Sequence, residues 1–140
     1  MTQPRRGAGP RSALGLLLAA FGPVLPGCGG EPKTYPVSGT VTWNGEPLPA
    51  GDVYFRPADP GGGTEAGKVV AGRFRFRARP GKKRVEIRAS RLVPGRKTPM
   101  GSPLRLEYIP PRYNDQSTLS AEVSPGGGNE YEFKLEGKDR

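Results

Sequence analysis

Tyr35-Pro36-Val37-Ser38-Gly39-Thr40-Val41-Thr42-Trp43-Asn44-Gly45 is the stretch that decides the fold of this chain. Val37, Gly39, Val41 and Trp43 fall on one face of an extended backbone, and Ser38, Thr40 and Thr42 fall on the other. A two-residue period of this kind marks a strand with one buried face. Asn44-Gly45 then supplies two residues that accept positive φ, as a tight hairpin turn requires. A half-buried strand that reverses direction at once is the beginning of an antiparallel sheet.

The same alternation recurs downstream. Glu46-Pro47-Leu48-Pro49 extends the connection, and Val53 and Phe55 belong to a second strand that ends at Pro57. Residues 58–67, rich in glycine, read as a flexible loop. Strand signals resume at Lys68-Val69-Val70, with a turn at Ala71-Gly72. From Arg73 to Arg79 the pattern alternates again, with Phe74, Phe76 and Ala78 inward and four arginines outward. Pro80-Gly81-Lys82-Lys83 reads as the next turn, after which Val85, Ile87 and Ala89 point inward. Residues 91–113 break the pattern. Pro94, Pro99, Pro103, Pro110 and Pro111, with Gly95 and Gly101, predict an irregular crossover of a length uncommon in a compact domain. Leu119, Ala121 and Val123 restore the period, a Pro125–Gly128 turn follows, and Tyr131, Phe133 and Leu135 precede a charged tail, Glu136 to Arg140. Seven short strands predict an all-β fold, an antiparallel seven-stranded β-sandwich of prealbumin-like or immunoglobulin-like form.

Composition narrows the chemistry. The chain carries 22 glycines and 17 prolines, which disfavour long helices. It has no histidine, so the commonest general base and metal ligand is missing, and with it every Ser-His or Cys-His nucleophile pair. Cys28 is the only cysteine, which leaves neither a disulfide within the chain nor a zinc site built from His and Cys. Asp52, Asp59, Glu65, Asp115 and Glu122 fall on loops or outward strand positions, whereas a glycosidase needs one acid in an apolar pocket. No acid has the spacing of a calcium loop. The Gly61–Gly63 and Gly126–Gly128 runs lack the Lys-Ser/Thr and the helix of a phosphate loop. The expectation is a protein that is not an enzyme, with no catalytic residues, metal or cofactor.

The first 28 residues carry a different message. Arg5, Arg6 and Arg11 precede the apolar run Ala13–Phe21, which is too short to span a bilayer, and Leu25-Pro26-Gly27-Cys28 follows. That order resembles a bacterial lipoprotein signal peptide. The resemblance implies cleavage before Cys28, a lipid on the Cys28 thiol, and location at the cell membrane or outer membrane, facing the periplasm or exterior. The expected organisation is a signal peptide over 1–27, a lipidated tether over 28–34 and the β-sandwich over 35–137. A secreted protein cut at an ordinary signal-peptidase site, or a buried helix in a cytosolic protein, would also account for the apolar run. Gly7-Ala8-Gly9-Pro10 after Arg5-Arg6 is not hydrophobic, so the pair is a weak twin-arginine signal.

Within the expected domain, Pro36–Val41, the Asn44-Gly45 turn, Pro47–Gly51 and Val53-Tyr54-Phe55 resemble the opening of carboxypeptidase regulatory-like domains, which are prealbumin-like (transthyretin-like) sandwiches. Gly72-Arg73-Phe74, Arg79-Pro80-Gly81-Lys82 and the strand from Arg84 are similar to a later hairpin of that family. Lys83 departs from it, where many relatives carry an aromatic residue. Tyr108–Asn114 and Leu119–Val123 further resemble small lipoproteins of planctomycete-type bacteria. The resemblance implies a fold and a surface location; it carries no catalytic residue.

Charge supplies the candidate site. The chain has a net charge of +9, and from Arg73 to Arg112 thirteen Lys or Arg face only Glu86 and Glu107. Arg73, Arg75, Arg77 and Arg79 share one strand face, and Arg84 and Arg88 are expected on the same face of a paired strand. Such a row could hold a polyanion, an envelope glycan or lipid headgroups. It could equally be a solvated outer face partly neutralised by Glu130 and Glu132. Trp43 shares the inward phase and is expected in the core. Tyr108, Arg112 and Tyr113, in the proline-rich crossover, are the candidate glycan-contact loop. Nucleic acid is a poor partner on grounds of location. Two readings of function therefore stand: a lipid-anchored extracytoplasmic module with a structural or binding role, and a carbohydrate- or polyanion-binding lipoprotein. The oligomeric state is open.

Overall fold

The computed structural model describes Gly9 and residues 29–138. Cys28 and the remainder of the expected signal peptide lie outside the described residues. The described strands are β1 (Tyr35–Trp43), β2 (Glu46–Pro47), β3 (Ala50–Pro57), β4 (Glu65–Val70), β5 (Arg73–Ala78), β6 (Gly81–Arg88), β7 (Ser90–Lys97), β8 (Pro103–Glu107), β9 (Ser120–Val123) and β10 (Glu130–Leu135). A 3-10 turn covers Pro111–Tyr113. The seven strands expected from sequence are β1, β3, β4, β5, β6, β9 and β10. They hydrogen-bond in the order β10-β1-β5-β4-β3-β6-β9, with β2 pairing with β1.

One continuous path becomes two layers at the β4–β5 hairpin. These strands pair only beside their turn, Val69 with Phe74 and Val70 with Arg73. Beyond it β5 follows β1 and β4 follows β3. One layer therefore holds β10, β1 and β5, and the other holds β4, β3, β6 and β9. Between them Phe55 of β3 meets Phe74, Phe76 and Tyr131 edge-on, at centroid distances of 6.5, 5.0 and 5.6 Å. Val37, Val41, Val53, Val69, Val85, Ile87 and Leu135 fill the rest of this all-β, sandwich-like core, and Trp43 is buried at its rim.

Backbone freedom matters at two places. At Gly39 the neighbouring strand runs so close that a Cβ would stand 2.1 Å from the Tyr131 carbonyl and 2.6 Å from the Phe74 ring. At the β4–β5 turn Ala71 and Gly72 take φ of +49° and +75°. Their amides donate to the carbonyls of Pro49 and Leu48 at 2.9 and 2.7 Å, which holds Ala71 in a region that disfavours a side chain.

All pairings are antiparallel except β1 with β10, which runs parallel from Ser38↔Glu130 to Trp43↔Leu135. The reason is topological: β9 lies in the other layer, so residues 124–129 cross between layers before β10 begins. Buried Asn129 secures the crossing. Its Oδ1 accepts from the Ser124 amide at 2.7 Å, and its Nδ2 donates to the Ser124 carbonyl at 2.9 Å. The Tyr131 hydroxyl then donates to the Glu122 carbonyl at 2.5 Å, joining the outermost strands of the two layers.

Three expectations change. Residues 65–67, read as loop, begin β4, because a charged residue at an inward position, Glu65 opposite Phe55, and Gly67 break the apolar alternation of a strand that lies along β3. Residues 91–113 are not wholly irregular: β7 and β8 form a separate two-stranded arm. The pairing of the Arg84 strand with the Arg73 strand does not occur, because β6 pairs with β3 and β9 in the other layer. Strand directions put Tyr35 at one end of the sandwich and Trp43 at the other. The arm leaves at the Trp43 end, where the Trp43 and Tyr108 rings meet at 5.8 Å.

Candidate functional site

The layer change divides the expected basic face. Arg73, Arg75 and Arg77 do lie on the outward side of β5, because Phe74, Phe76 and Ala78 point into the core, whereas Arg79 follows the strand and is half-buried. Arg84 and Arg88 lie on β6, on the outside of the opposite layer. The structure does not bring the six arginines together.

Most of them are engaged within the chain. Arg79 Nε donates to Glu65 Oε1 at 2.6 Å, and Lys83 Nζ donates to Glu65 Oε2 at 3.1 Å. Lys83, expected in a turn, shares the inward phase of Val85 and Ile87, and its side chain is only 3% exposed. Burial pushes the Glu65 carboxyl up, but the hydrogen bonds from Arg79 and Lys83 outweigh it and hold the group below the ordinary glutamate range. Arg77 donates through Nε to the Thr34 hydroxyl at 3.0 Å and through Nη2 to the Thr34 carbonyl, fixing the segment that leads into β1. Arg73 and Arg75 have no ion pair among the described residues. Glu132, expected to neutralise this face, is 3.3 Å from Lys134.

On the other layer, Arg84 and Arg88 converge on a carboxylate that the sequence did not single out. Glu86 is outward in phase yet its side chain is 2% exposed. Arg56 Nε and Arg84 Nη2 lie 2.7 and 2.6 Å from its Oε1, and Arg88 Nη2 lies 4.0 Å from its Oε2. Arg88 also pairs with Asp115 and, at 3.3 Å, with Glu107. Asn114, buried in the segment after the 3-10 turn, donates to Glu107 at 3.3 Å and to the Ile109 carbonyl at 3.2 Å. The register sets Arg56 opposite Arg84, two like charges that only an acid on the same face can reconcile. The Arg84-x-Glu86-x-Arg88 spacing was the available signal; the approach of Arg56 from β3 was not.

The expected glycan loop is packed inward. Tyr108 and Tyr113 are half-buried against the core. The Tyr113 hydroxyl accepts from the Glu136 amide at 3.1 Å, Arg112 donates to the Glu136 carbonyl, and the Arg112 guanidinium stacks 4.9 Å from the Tyr113 ring. These contacts hold the chain after β10 in place, so the two tyrosines of the candidate glycan-contact loop are engaged within the chain. A cleft of about 430 Å³ lies between the outside of β3 and β4 and the arm base, and Asp52, Tyr54, Lys68, Arg88, Arg105 and Glu107 line it. Lys68 bonds Asp52 at 2.5 Å, so both signs of charge are already matched there.

No family model matches this chain, and no curated protein or solved structure matches it either. Among the described residues no group of three or more Asp, Glu, His or Cys could hold a metal ion, and no helix is long and apolar enough to cross a membrane.

Proposed function

We propose that the chain is a lipid-anchored β-sandwich module of the bacterial cell envelope, with a non-enzymatic structural or binding role. The observation that carries the role is how its cations are used. Arg79, Lys83, Arg84 and Arg88 meet carboxylates of the same chain, and Arg77 and Arg112 meet its carbonyls. Charge that builds the module is not charge held ready for a polyanion. The location rests on the order of Arg5–Arg11, Ala13–Phe21 and Leu25–Cys28. The seven-strand path is compatible with the resemblance to carboxypeptidase regulatory-like domains, which is part of the proposal.

Mass spectrometry of the native amino terminus tests the anchor. A diacylglyceryl adduct on Cys28 is expected; an unmodified terminus elsewhere ends the lipoprotein reading. Of the six arginines expected on the basic face, Arg73 and Arg75 are the two that point outward without an ion-pair partner among the described residues, and the polyanion reading of that face rests on them. If it holds, the protein is retained on heparin at physiological salt and Arg73→Ser with Arg75→Ser lowers the salt concentration at which it elutes. Elution of the parent protein in the void volume rejects it.

A further inference from the structure

We propose that the β7–β8 arm is a docking element for an anionic lipid bilayer surface. The arm is a ribbon of its own, with Ser90 opposite Glu107, Arg91 opposite Leu106, Leu92 opposite Arg105 and Lys97 opposite Pro103. No core residue lies between Ala89 and Ile109, so the ribbon does not exist to fill the sandwich. A two-stranded ribbon alone in water is marginal. This one turns tightly at its tip, where the Thr98 amide donates to the Ser102 carbonyl at 2.8 Å and the Gly101 amide to the Thr98 carbonyl at 2.9 Å. Met100 stands at that tip, 93% exposed, and Leu92 and Leu106 are 54% and 47% exposed.

Cations surround these apolar groups. Arg91, Arg96, Lys97 and Arg105 are exposed along the arm. Its one acid, Glu107, sits at the base and engages Arg88. Arg91 and Arg105 are engaged near the base, by the Tyr108 ring and by Ser90, and Arg96 and Lys97 stand exposed toward the tip. Two copies of so cationic a ribbon repel each other, and a purely apolar partner offers Arg96 and Lys97 no opposite charge. An anionic bilayer surface meets both demands. It takes apolar side chains at the acyl boundary while basic side chains extend to headgroup charge. Depth is limited by the backbone, because an open ribbon edge cannot enter hydrocarbon with unpaired amides. Only the tip enters, with the strands held in the headgroup layer. Pro94, Pro99 and Pro103 lower the number of amides left to satisfy there.

The proposal does not rest on Cys28, and its test reads the arm alone. The full-length chain carrying Cys28→Ser and Met100→Cys is labelled at residue 100 with an environment-sensitive fluorophore. It is then mixed with vesicles of phosphatidylcholine, or of equal parts phosphatidylcholine and phosphatidylglycerol. The expected result is a blue-shifted emission with the anionic vesicles only, reversed by high salt. Arg96→Gln with Lys97→Gln should weaken that binding about 30-fold, since each basic residue near an anionic surface contributes about fivefold. Solvent-like emission with both vesicles, or an equal shift with both, overturns the proposal. So does a shift without vesicles that grows with protein concentration, which would assign the arm to a second copy. A chain that floats with vesicles through its apolar leader while the label stays solvent-like defeats the arm and leaves the anchor reading standing.

Discussion

Lys83 is a lysine in a core position, and everything about it depends on Glu65. Its side chain shares the inward phase of Val85 and Ile87, so the ammonium would be buried unpaired if Glu65 lost its charge. Removing one partner of a buried pair costs about 3–5 kcal/mol, far more than an exposed pair is worth. Glu65→Gln should therefore lower stability by about that amount at neutral pH, read as the urea midpoint. The sign of the pH dependence follows from the direction of the shift. A carboxyl held below its ordinary range stabilises the fold above that range, and the contribution disappears as acid protonates the folded form. The parent protein should lose stability below about pH 4, the usual glutamate range, and Glu65→Gln should flatten that limb. Equal acid sensitivity in both proteins would exclude the pair as its source.

The arm is the element that can be removed. Ser90 and Glu107 face each other across its base, and the residues between them contribute nothing to the core. Replacing residues 91–106 with an Asn-Gly turn should keep a cooperative melt, at a cost of about 1 kcal/mol for the contacts of Arg91 with Tyr108 and of Arg105 with Ser90. Collapse of the melt would make the arm part of the fold. The arm also marks where sequence reading ran out. Alternation over Val37–Trp43, Phe74–Ala78 and Tyr131–Leu135 exposes one apolar face per strand, so those strands were legible. Leu104 and Leu106 do alternate with Arg105 and Glu107, but only over two apolar residues, and Leu92-Val93-Pro94-Gly95 on the facing strand has no two-residue period, because a ribbon standing off the sandwich is largely exposed and needs no apolar face. Arg84 and Arg88 were placed outward correctly but on the wrong layer, since alternation fixes which side a residue takes and not which strand lies beside it. Glu86 was hidden for a related reason: Arg56, which meets its carboxylate together with Arg84 and Arg88, comes from the neighbouring strand β3.

At the scale of the molecule, β1 is held on one side by β5 and on the other by β10, its most distant partner in sequence. A chain ending at Asn129 lacks Tyr131, Phe133 and Leu135, which cover Phe55 and Phe74 from the first layer. It should show no cooperative thermal transition by circular dichroism, whereas a chain ending at Lys138 should. A cooperative melt in the shorter chain would mean that the second layer stands alone.

That parallel pairing of β10 with β1 has a consequence in time. At about 5–20 residues per second, synthesis from Tyr35 to Glu130 takes about 5–20 s, and throughout it β1 lacks the neighbour that completes its layer. The earlier strands can pair before then, but the layer of β10, β1 and β5 is complete only once β10 has been made. Strand order alone thus sets the closing of this layer behind the synthesis of β10.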